Sequence, residues 1–254
     1  MNVTFRLEQI YNTFNMIIQH DPNINPDDFI YKTKFTFGTD LGKEFLAQID
    51  KDVSVFPRRF NYNDGLTMAK VRDLRRRVGQ DKTRELVRRQ HQVISKFPGE
   101  NLIEFKQYHC GPEWDAKVLD ITPDWLKGIG PNEPNPMLQI STCDGGTGIL
   151  PPHCGHKRTA SMFMLLQGGG QETRWWTPTA DFETISELRI PDLDRIQLAV
   201  SAVIEPGVWY VFNHMFWHSV HKFAQKGLDR INMGLDFYSI TAPDLVKLCK
   251  QHGG

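Results

Sequence analysis

The segment DRINMGLDFY, residues 229–238, alternates polar and apolar side chains with a period of two. Successive side chains of a β-strand point to opposite faces, so this alternation predicts a strand with two different faces. One face carries Arg230, Asn232, Gly234 and Asp236, and the other carries Ile231, Met233, Leu235 and Phe237. An arginine on such a face is either at the surface, for example paired with Asp236, or inside a barrel, where it needs an anion.

Seven other segments after residue 100 are short, rich in apolar or aromatic residues, and mostly bounded by Gly, Pro, Asn or Asp. They are LIEFKQYH, PMLQIST, GILPPHCG, ASMFMLLQ, TRWWTP, LAVSAVI and VWYVFN. Eight strand candidates without intervening helices favour a sandwich or barrel over βαβ units. The sequence therefore predicts a β domain over residues 101–254, with APDLVKLCKQ as a capping helix at its C-terminal end.

The first hundred residues have a helical pattern and are expected to pack on this β domain. RLEQIYNTFNMIIQ (6–19) and LGKEFLAQI (41–49) carry apolar residues at helical spacing. Residues 66–97 predict a helical hairpin that breaks near Gly79. The hairpin carries a cluster of arginines: Arg72, Arg75, Arg76, Arg77, Arg84, Arg88 and Arg89. We interpret this cluster as a solvated helix face, partly paired with nearby acids, rather than as a patch for an acidic partner.

The composition excludes several classes of protein. The formal net charge of the 254 residues is zero, so no overall field attracts nucleic acid or anionic membrane. The apolar runs are too short to span a bilayer, and the N-terminus lacks the apolar core of a signal peptide. The cysteines lie apart, without a C-x-x-C pair, and favour reduced thiols in the cytoplasm. They are Cys110, Cys143, Cys154 and Cys249.

Five of the nine histidines fall in two short stretches, HCGH (153–156) and HMFWHSVH (214–221). Neutral imidazole is a common ligand for Fe, Zn, Cu and Ni. Two clusters on strands, some sixty residues apart, can converge inside a barrel. Strand alternation would place His214 and His218 on one face.

The first histidine cluster lacks the expected carboxylate. A site of two histidines and one carboxylate commonly places the carboxylate two residues after the first histidine, because both then share a strand face. Here Gly155 occupies that position and offers no ligand. A third ligand could come from His156, Asp144 or Glu172, although His156 falls on the face opposite His153.

The order His153, His218 and Arg230 resembles the Fe(II)/2-oxoglutarate-dependent oxygenases. VFNHMFWHSVHKF followed by DRINMGLDF is most similar to the aspartyl/asparaginyl β-hydroxylase branch, which has His-x-Gly in place of His-x-Asp. The resemblance covers about residues 138–238. It implies a mainly β chain with N-terminal helices and a double-stranded β-helix (jelly-roll or cupin-like) core. It also implies hydroxylation of an unactivated C–H bond of an amino acid, peptide or related small molecule.

The resemblance implies roles for individual residues. His153 and His218 would ligate Fe(II), and Arg230 would bind the distal carboxylate of the cosubstrate 2-oxoglutarate, with dioxygen as the oxidant. Ser161 and Arg158 would assist with cosubstrate or substrate. His214 and His221 are expected to be outer groups rather than ligands.

Three other classes of protein remain open. A glycine at this position marks halogenases elsewhere in the superfamily, where chloride fills the vacant site. A cupin-type metalloenzyme would share the histidines but would not use 2-oxoglutarate, and a binding module would use them only to pack a core. The same ambiguity, between a substrate pocket and a packed core, holds for Trp175, Trp176, Trp209 and Trp217. The sequence gives no expectation about oligomeric state.

Overall fold

The structure is a computed structural model that describes most of the chain from residue 17 onward. The described residues are 17–51, 58–62, 68–98, 105–109, 111–143, 148–154, 158–168, 170–179, 191–222 and 229–254. Two antiparallel β-sheets form its centre, and helices cover them.

Twelve strands are present in these ranges. They are β1 (Ile17–Gln19), β2 (Ile30–Lys32), β3 (Arg58–Tyr62), β4 (Phe105–His109), β5 (Asn135–Cys143), β6 (Leu150–His153), β7 (Ala160–Gln167), β8 (Glu172–Pro178), β9 (Ile196–Val203), β10 (Trp209–Asn213), β11 (Trp217–His221) and β12 (Arg230–Phe237). The helices are α1 (Thr39–Lys51), α2 (Met68–Val78), α3 (Gln80–Lys96), α4 (Pro112–Ile121), α5 (Asp124–Lys127) and α6 (Ala242–Gln251), with a 3-10 turn at Pro26–Asp28.

The strands divide between the sheets in an interleaved order. One sheet has five strands in the order β1-β9-β8-β11-β6, and the other has seven in the order β2-β10-β7-β12-β5-β4-β3. From β5 onward the chain passes repeatedly from one sheet to the other, with only β8 and β9 adjacent in both sequence and sheet. Residues far apart in sequence, such as those of β6 and β11, therefore become neighbours.

The apolar face of β12 packs beneath helices. Ile231, Met233, Leu235 and Phe237 are buried with Trp209 of β10 and with residues of α1, α4 and α6. This confirms the alternation predicted for residues 229–238. The opposite face, with Arg230 and Asp236, is also buried, and it turns toward the five-stranded sheet.

A second apolar cluster lies between the sheets. Phe163 and Leu165 of β7, Tyr210 and Phe212 of β10, and Trp175 of β8 belong to it. The outer face of the five-stranded sheet is covered separately, by Val93 of α3 and by Phe97, which pack with Trp217 and Trp176. Each sheet thus has an inner face toward the other sheet and an outer face beneath helices.

Each of the eight segments predicted as a strand contains a strand in the structure, although residues 102–104 and Gly155 of those segments lie outside the described residues. The predicted strand over 160–167 and the predicted helix over 242–251 have the same bounds in the structure. The helical hairpin also forms, as α2 and α3, with Gly79 between them at a φ of +86° that favours glycine.

Three predictions need correction. Residues 17–19, the end of the helix predicted over 6–19, form β1, which pairs with β9, and the rest of that helix lies outside the described residues. The β region contains two helices that were not predicted, α4 and α5. His214 does not share a strand with His218, because the chain bends at residues 214–216 between β10 and β11.

The first hundred residues also supply β1, β2 and β3 to the sheets, so both sheets take strands from both sides of residue 100. The division into a helical region and a β domain remains a proposal. Among the described helices, none has both the length and the apolar character that crossing a bilayer requires.

The arginine cluster lies largely on the exposed side of α2 and α3. Arg77 contacts Asp73 at 2.9 Å, and Arg88 contacts Glu85 at 2.7 Å. Arg88 also reaches Asp192 at 2.6 Å, which joins α3 to the segment before β9. These pairs agree with the interpretation of a solvated face that is partly neutralised by neighbouring acids.

Candidate active site

Two histidines meet across the edge of the five-stranded sheet. His153 ends the edge strand β6, and His218 lies opposite it on β11. Pro151 and Pro152 precede His153, where an edge strand tolerates residues that lack an N–H group. The register of β6 against β11 shifts between His218 and Val220, and such irregularities often re-aim a side chain.

Each imidazole ring is oriented by the backbone carbonyl of the residue two positions before it. The Nδ1 atom of His153 lies 2.8 Å from the carbonyl oxygen of Pro151, and the Nδ1 atom of His218 lies 3.0 Å from that of Phe216. A carbonyl oxygen only accepts hydrogen bonds, so each Nδ1 carries the proton and each Nε2 is the unprotonated nitrogen of the neutral ring. The ring centroids are 4.3 Å apart. Two neighbouring imidazoles that each keep an Nε2 lone pair are a donor set for a transition metal.

The environment of His218 favours its neutral form. The side chain is buried, and burial together with the neighbouring His153 lowers its pKa well below the ordinary value. A neutral imidazole is the form that binds a metal ion.

His214 joins these histidines from the bend between β10 and β11. Its ring centroid lies 5.2 Å from that of His218, and its Nε2 atom lies 2.8 Å from the hydroxyl oxygen of Ser161 on β7. The Nδ1 atom of His214 is buried and has no hydrogen-bond partner among the described residues. Burial, followed by the charge of Arg158, lowers the pKa of His214 well below its usual range. The bend therefore brings together His214 and His218, which the prediction placed on one strand.

Arg158 forms an ion pair at the same end of the site. Its Nη1 atom donates to both carboxylate oxygens of Asp236, at 3.0 Å and 2.9 Å. Burial raises the pKa of Asp236, and the guanidinium of Arg158 opposes that shift. The partner of Asp236 is thus Arg158 and not Arg230, so the surface pairing of Arg230 with Asp236 that the sequence allowed is wrong.

Arg230 lies at the other end of β12. Asp236 lies six positions farther along the strand, a span of about 20 Å. The side chain is 8% exposed, its Nη1 atom donates to Asn232 at 3.1 Å, and its guanidinium lies 5.6 Å from the centre of the Phe163 ring. Burial lowers the pKa of Arg230 to about 10, so the buried group keeps its charge at neutral pH.

Ser141 of β5 lies directly opposite Arg230 in the register of the seven-stranded sheet. Directly opposed residues of an antiparallel pair share a face, so both belong to the inner face. The hydroxyl of Ser141 is buried and has no hydrogen-bond partner in the described part of the chain. Nothing in the local sequence singles out this serine, because its position depends on the pairing of β5 with β12.

A continuous series of ring contacts joins Arg230 to the histidines. Its guanidinium lies over Phe163, the Phe163 ring lies 6.0 Å from that of Phe212, and the Phe212 ring lies 4.9 Å from that of His218. The inner space thus has a cation at one end, an aromatic middle and a histidine pair at the other end.

Three residues were candidates for a third metal ligand, and the structure describes only one of them, Glu172. Glu172 lies on the outer face of β8 and accepts two hydrogen bonds from Arg174, at 3.0 Å and 2.9 Å, so it is not a ligand beside the histidines. Asp144, Gly155 and His156 lie outside the described residues. Within the described ranges, no three His, Cys, Asp or Glu side chains are grouped so that they could hold a metal ion.

The histidine on the outer face of β11 packs against other side chains of the protein. His221 is buried there, with its Nε2 atom 3.1 Å from the hydroxyl oxygen of Ser219 and its ring 4.7 Å from that of Phe97. Cys154 packs in the same apolar cluster, partly exposed. Trp217 and Trp176 also lie on this face, Trp209 packs beneath the helices, and Trp175 alone of the four tryptophans lies on an inner face.

Comparison with known proteins gives no family for the chain. No protein-family model matches it, and no curated protein sequence is similar to it. Solved structures with some similarity to the chain include an oxidoreductase of the 2OG-Fe(II) oxygenase family from Burkholderia pseudomallei. That likeness has 11% identity and a TM-score of 0.35, and covers 72% of this chain and 95% of the other.

Two further structures are the Escherichia coli ribosomal oxygenase YcfD and hazelnut (Corylus avellana) vicilin. The first is 18% identical with a TM-score of 0.31, covering 60% of this chain and 36% of the other. The second is 14% identical with a TM-score of 0.30. The match covers 58% of this chain and 32% of the vicilin chain, so this chain spans about a third of the length of vicilin. At these TM-scores the likenesses carry no argument about function, which therefore depends on the site itself.

Proposed function

We propose that this protein is an Fe(II)/2-oxoglutarate-dependent dioxygenase that hydroxylates an unactivated C–H bond of an amino acid, peptide or related small molecule. The observation that carries the proposal is the pair His153 and His218, in register on adjacent strands, with both Nδ1 atoms hydrogen-bonded to backbone carbonyls. Histidines that only fill a core have no need of two oriented, adjacent Nε2 atoms on an inner face.

His153 and His218 would hold the iron through Nε2. Neutral imidazole suits Fe(II), and the backbone carbonyls that fix each tautomer are the outer partners that metal-binding histidines usually have. When bound, iron with 2-oxoglutarate and dioxygen supplies the oxidising chemistry that a C–H bond requires. The protein contributes ligand orientation and an interior from which water is largely excluded.

Arg230 and Ser141 would hold the distal carboxylate of 2-oxoglutarate. A buried guanidinium requires compensation by an anion or by hydrogen-bond acceptors, and a dicarboxylate fits its planar fork. The hydroxyl of Ser141, buried beside Arg230 without a hydrogen-bond partner among the described residues, fits the same carboxylate. A cupin-type enzyme that does not use 2-oxoglutarate would have no role for this cation.

Arg158 and Ser161 would serve the substrate side. Arg158 pairs with Asp236, about 20 Å along β12 from Arg230, so the two arginines do not serve one carboxylate. Ser161 positions His214 beside the histidine pair. These groups surround the end of the interior where the reacting C–H bond would lie.

The arrangement of strands supports the fold that accompanies this function. The orders β10-β7-β12-β5 and β9-β8-β11-β6 interleave as a double-stranded β-helix requires, with two four-stranded sheets face to face. In this proposal residues 101–254 form the oxygenase domain, residues 1–100 support it, and the enzyme acts in the cytoplasm on a small-molecule or peptide substrate.

An anaerobic titration tests the proposal. Fe(II) and then 2-oxoglutarate are added to the purified protein, and the visible charge-transfer band of the iron chelate is recorded. We expect a band that saturates at one 2-oxoglutarate for each iron. Bound metal without a band would indicate a cupin-type enzyme. The absence of bound metal would indicate that the histidines only pack the core.

A further inference from the structure

The indole N–H of Trp175 is a buried donor without a hydrogen-bond partner among the described residues. Trp175 is 0% exposed, and its Nε1 atom forms no hydrogen bond there. A buried tryptophan N–H usually finds a partner, because leaving a donor unsatisfied in a low-dielectric interior is unfavourable. A buried donor without a partner in a native fold calls for an explanation, and a bound ligand is one.

The position of Trp175 places this donor beside the histidine pair. Trp175 of β8 lies directly opposite His218 of β11, so the two residues share the inner face of the five-stranded sheet. The rings of both residues contact Phe212, each with a centroid distance of 4.9 Å. His218 therefore has His153 as its neighbour on one side and Trp175 on the other.

The adjacent tryptophan shows how the same group is satisfied when the sheet packs against protein. Trp176 lies on the outer face, and its Nε1 atom donates to the hydroxyl of Ser219 at 2.9 Å. The two consecutive tryptophans thus differ in hydrogen bonding. The N–H on the outer face has a partner, and the N–H on the inner face has none among the described residues.

We propose that the indole N–H of Trp175 donates a hydrogen bond to the 2-oxo acid end of bound 2-oxoglutarate. This inference rests on the proposed function and adds a binding residue to it. Arg230 and Ser141 lie at the far end of the interior, so they would take the distal carboxylate. The other end, with its carboxylate and keto oxygens, would then lie beside His218, where Trp175 is the neighbouring donor. A hydrogen bond to a charged acceptor is stronger than one between neutral groups.

Two cosubstrate probes and three variants test the assignment on Zn(II)-loaded protein, which binds without turnover. The probes are 2-oxoglutarate and 2-oxopentanoate, which keeps the 2-oxo acid but lacks the distal carboxylate. We expect Trp175→Phe to raise the Kd of both probes about tenfold, which corresponds to about 1.4 kcal/mol. The matched control Trp176→Phe should change neither Kd, and Arg230→Gln should weaken 2-oxoglutarate alone.

The outcomes separate this inference from the proposed function. If wild-type protein does not bind 2-oxoglutarate, the proposed function itself fails. If it binds, and Arg230→Gln weakens it while Trp175→Phe and Trp176→Phe behave alike, only the role of Trp175 is overturned. A loss in Trp175→Phe that is confined to 2-oxoglutarate also overturns it, because the N–H would then serve the distal carboxylate.

A measurement on the wild-type chain covers the case in which Trp175→Phe does not fold. The six tryptophans give separate indole signals after labelling with nitrogen-15. Addition of either probe to the Zn(II)-loaded protein should move the Trp175 indole proton strongly downfield and leave the Trp176 signal in place. An unmoved Trp175 signal at saturating probe overturns the inference.

Discussion

The two faces of the five-stranded sheet both carry tryptophan and histidine, but the hydrogen bonds of these side chains differ between the faces. On the outer face, Trp176 donates to Ser219, and the Ser219 hydroxyl lies 3.1 Å from His221. On the inner face, Trp175 has no hydrogen-bond partner among the described residues, and His218 is oriented by a backbone carbonyl. All four aromatic side chains are largely or partly buried. Burial alone therefore does not distinguish His218 from His221, whereas their hydrogen-bond partners do.

The largest expected effect comes from removing one histidine from each face. His218→Ala should abolish metal binding. The loss of metal affinity should exceed the roughly 100-fold that follows when a hydrogen-bond partner of a ligand is removed. His221→Ala should leave metal affinity unchanged, because its ring packs against Phe97 on the face away from His153. Equilibrium dialysis with Fe(II) under anaerobic conditions, followed by metal analysis, gives both affinities.

Far-UV circular dichroism of each variant shows whether the fold is retained. This control is needed for both variants, since both side chains are buried and each truncation opens a cavity. If both variants lost metal equally while folded, the distinction between the two faces would be wrong. If neither lost metal, the site would lie elsewhere.

The second effect compares the ion pair of Asp236, on the inner face of β12, with an ion pair on the outer face of the five-stranded sheet. Arg158→Gln removes the partner of Asp236, whose side chain is 8% exposed, and leaves a buried carboxylate uncompensated. Such a loss costs about 3–5 kcal/mol of unfolding free energy. Arg174→Gln breaks a pair whose side chains are 26% and 32% exposed, and should cost about 1 kcal/mol or less. Urea unfolding at pH 7 measures both.

A double variant sharpens this comparison. Adding Asp236→Asn to Arg158→Gln removes the uncompensated charge and should recover most of the lost stability. If the double variant is no more stable than Arg158→Gln, the guanidinium of Arg158 contributes by packing rather than by neutralising Asp236.

Local patterns were sufficient to predict much of this arrangement. The alternation in residues 229–238 predicted both faces of β12, and turn residues marked the ends of strands such as β7 and β10. The sequence of helix α4 also contains residues that favour a helix start, which the prediction of strands alone did not use. It begins with Pro112 in its first turn, and the acids Glu113 and Asp115 follow there.

Other features depend on contacts that the local sequence does not contain. The bend at 214–216 contains no Gly or Pro, so the run from β10 to β11 reads as one strand. Ser141 and Trp175 are ordinary strand residues until the register sets them opposite Arg230 and His218. Pairing between distant strands decides which buried polar atoms face the space between the sheets, and a single sequence gives no direct signal for it.

The smallest expected effect lies on helix α3, outside the five-stranded sheet. Arg88 donates to Glu85 and, with Arg89, lowers the pKa of that carboxyl to about 2, although partial burial opposes the shift. A carboxyl with a depressed pKa stabilises the fold above its unfolded pKa, near 4.5, and loses that contribution as the pH falls toward 2. Glu85→Gln should therefore lower stability at pH 7 by about 1 kcal/mol or less.

The pH dependence separates charge from packing at this position. Thermal unfolding of wild type and Glu85→Gln, followed between pH 7 and pH 2, should give curves that converge as Glu85 becomes protonated. Asp81→Asn is the matched control, because its carboxylate is 96% exposed and makes only a 3.5 Å contact with Arg84. A difference between Glu85→Gln and wild type that persisted at pH 2 would assign the effect to side-chain packing. Convergence would assign the effect to the charge of Glu85, in a pair that salt screens more than it screens the pair of Arg158 with the buried Asp236.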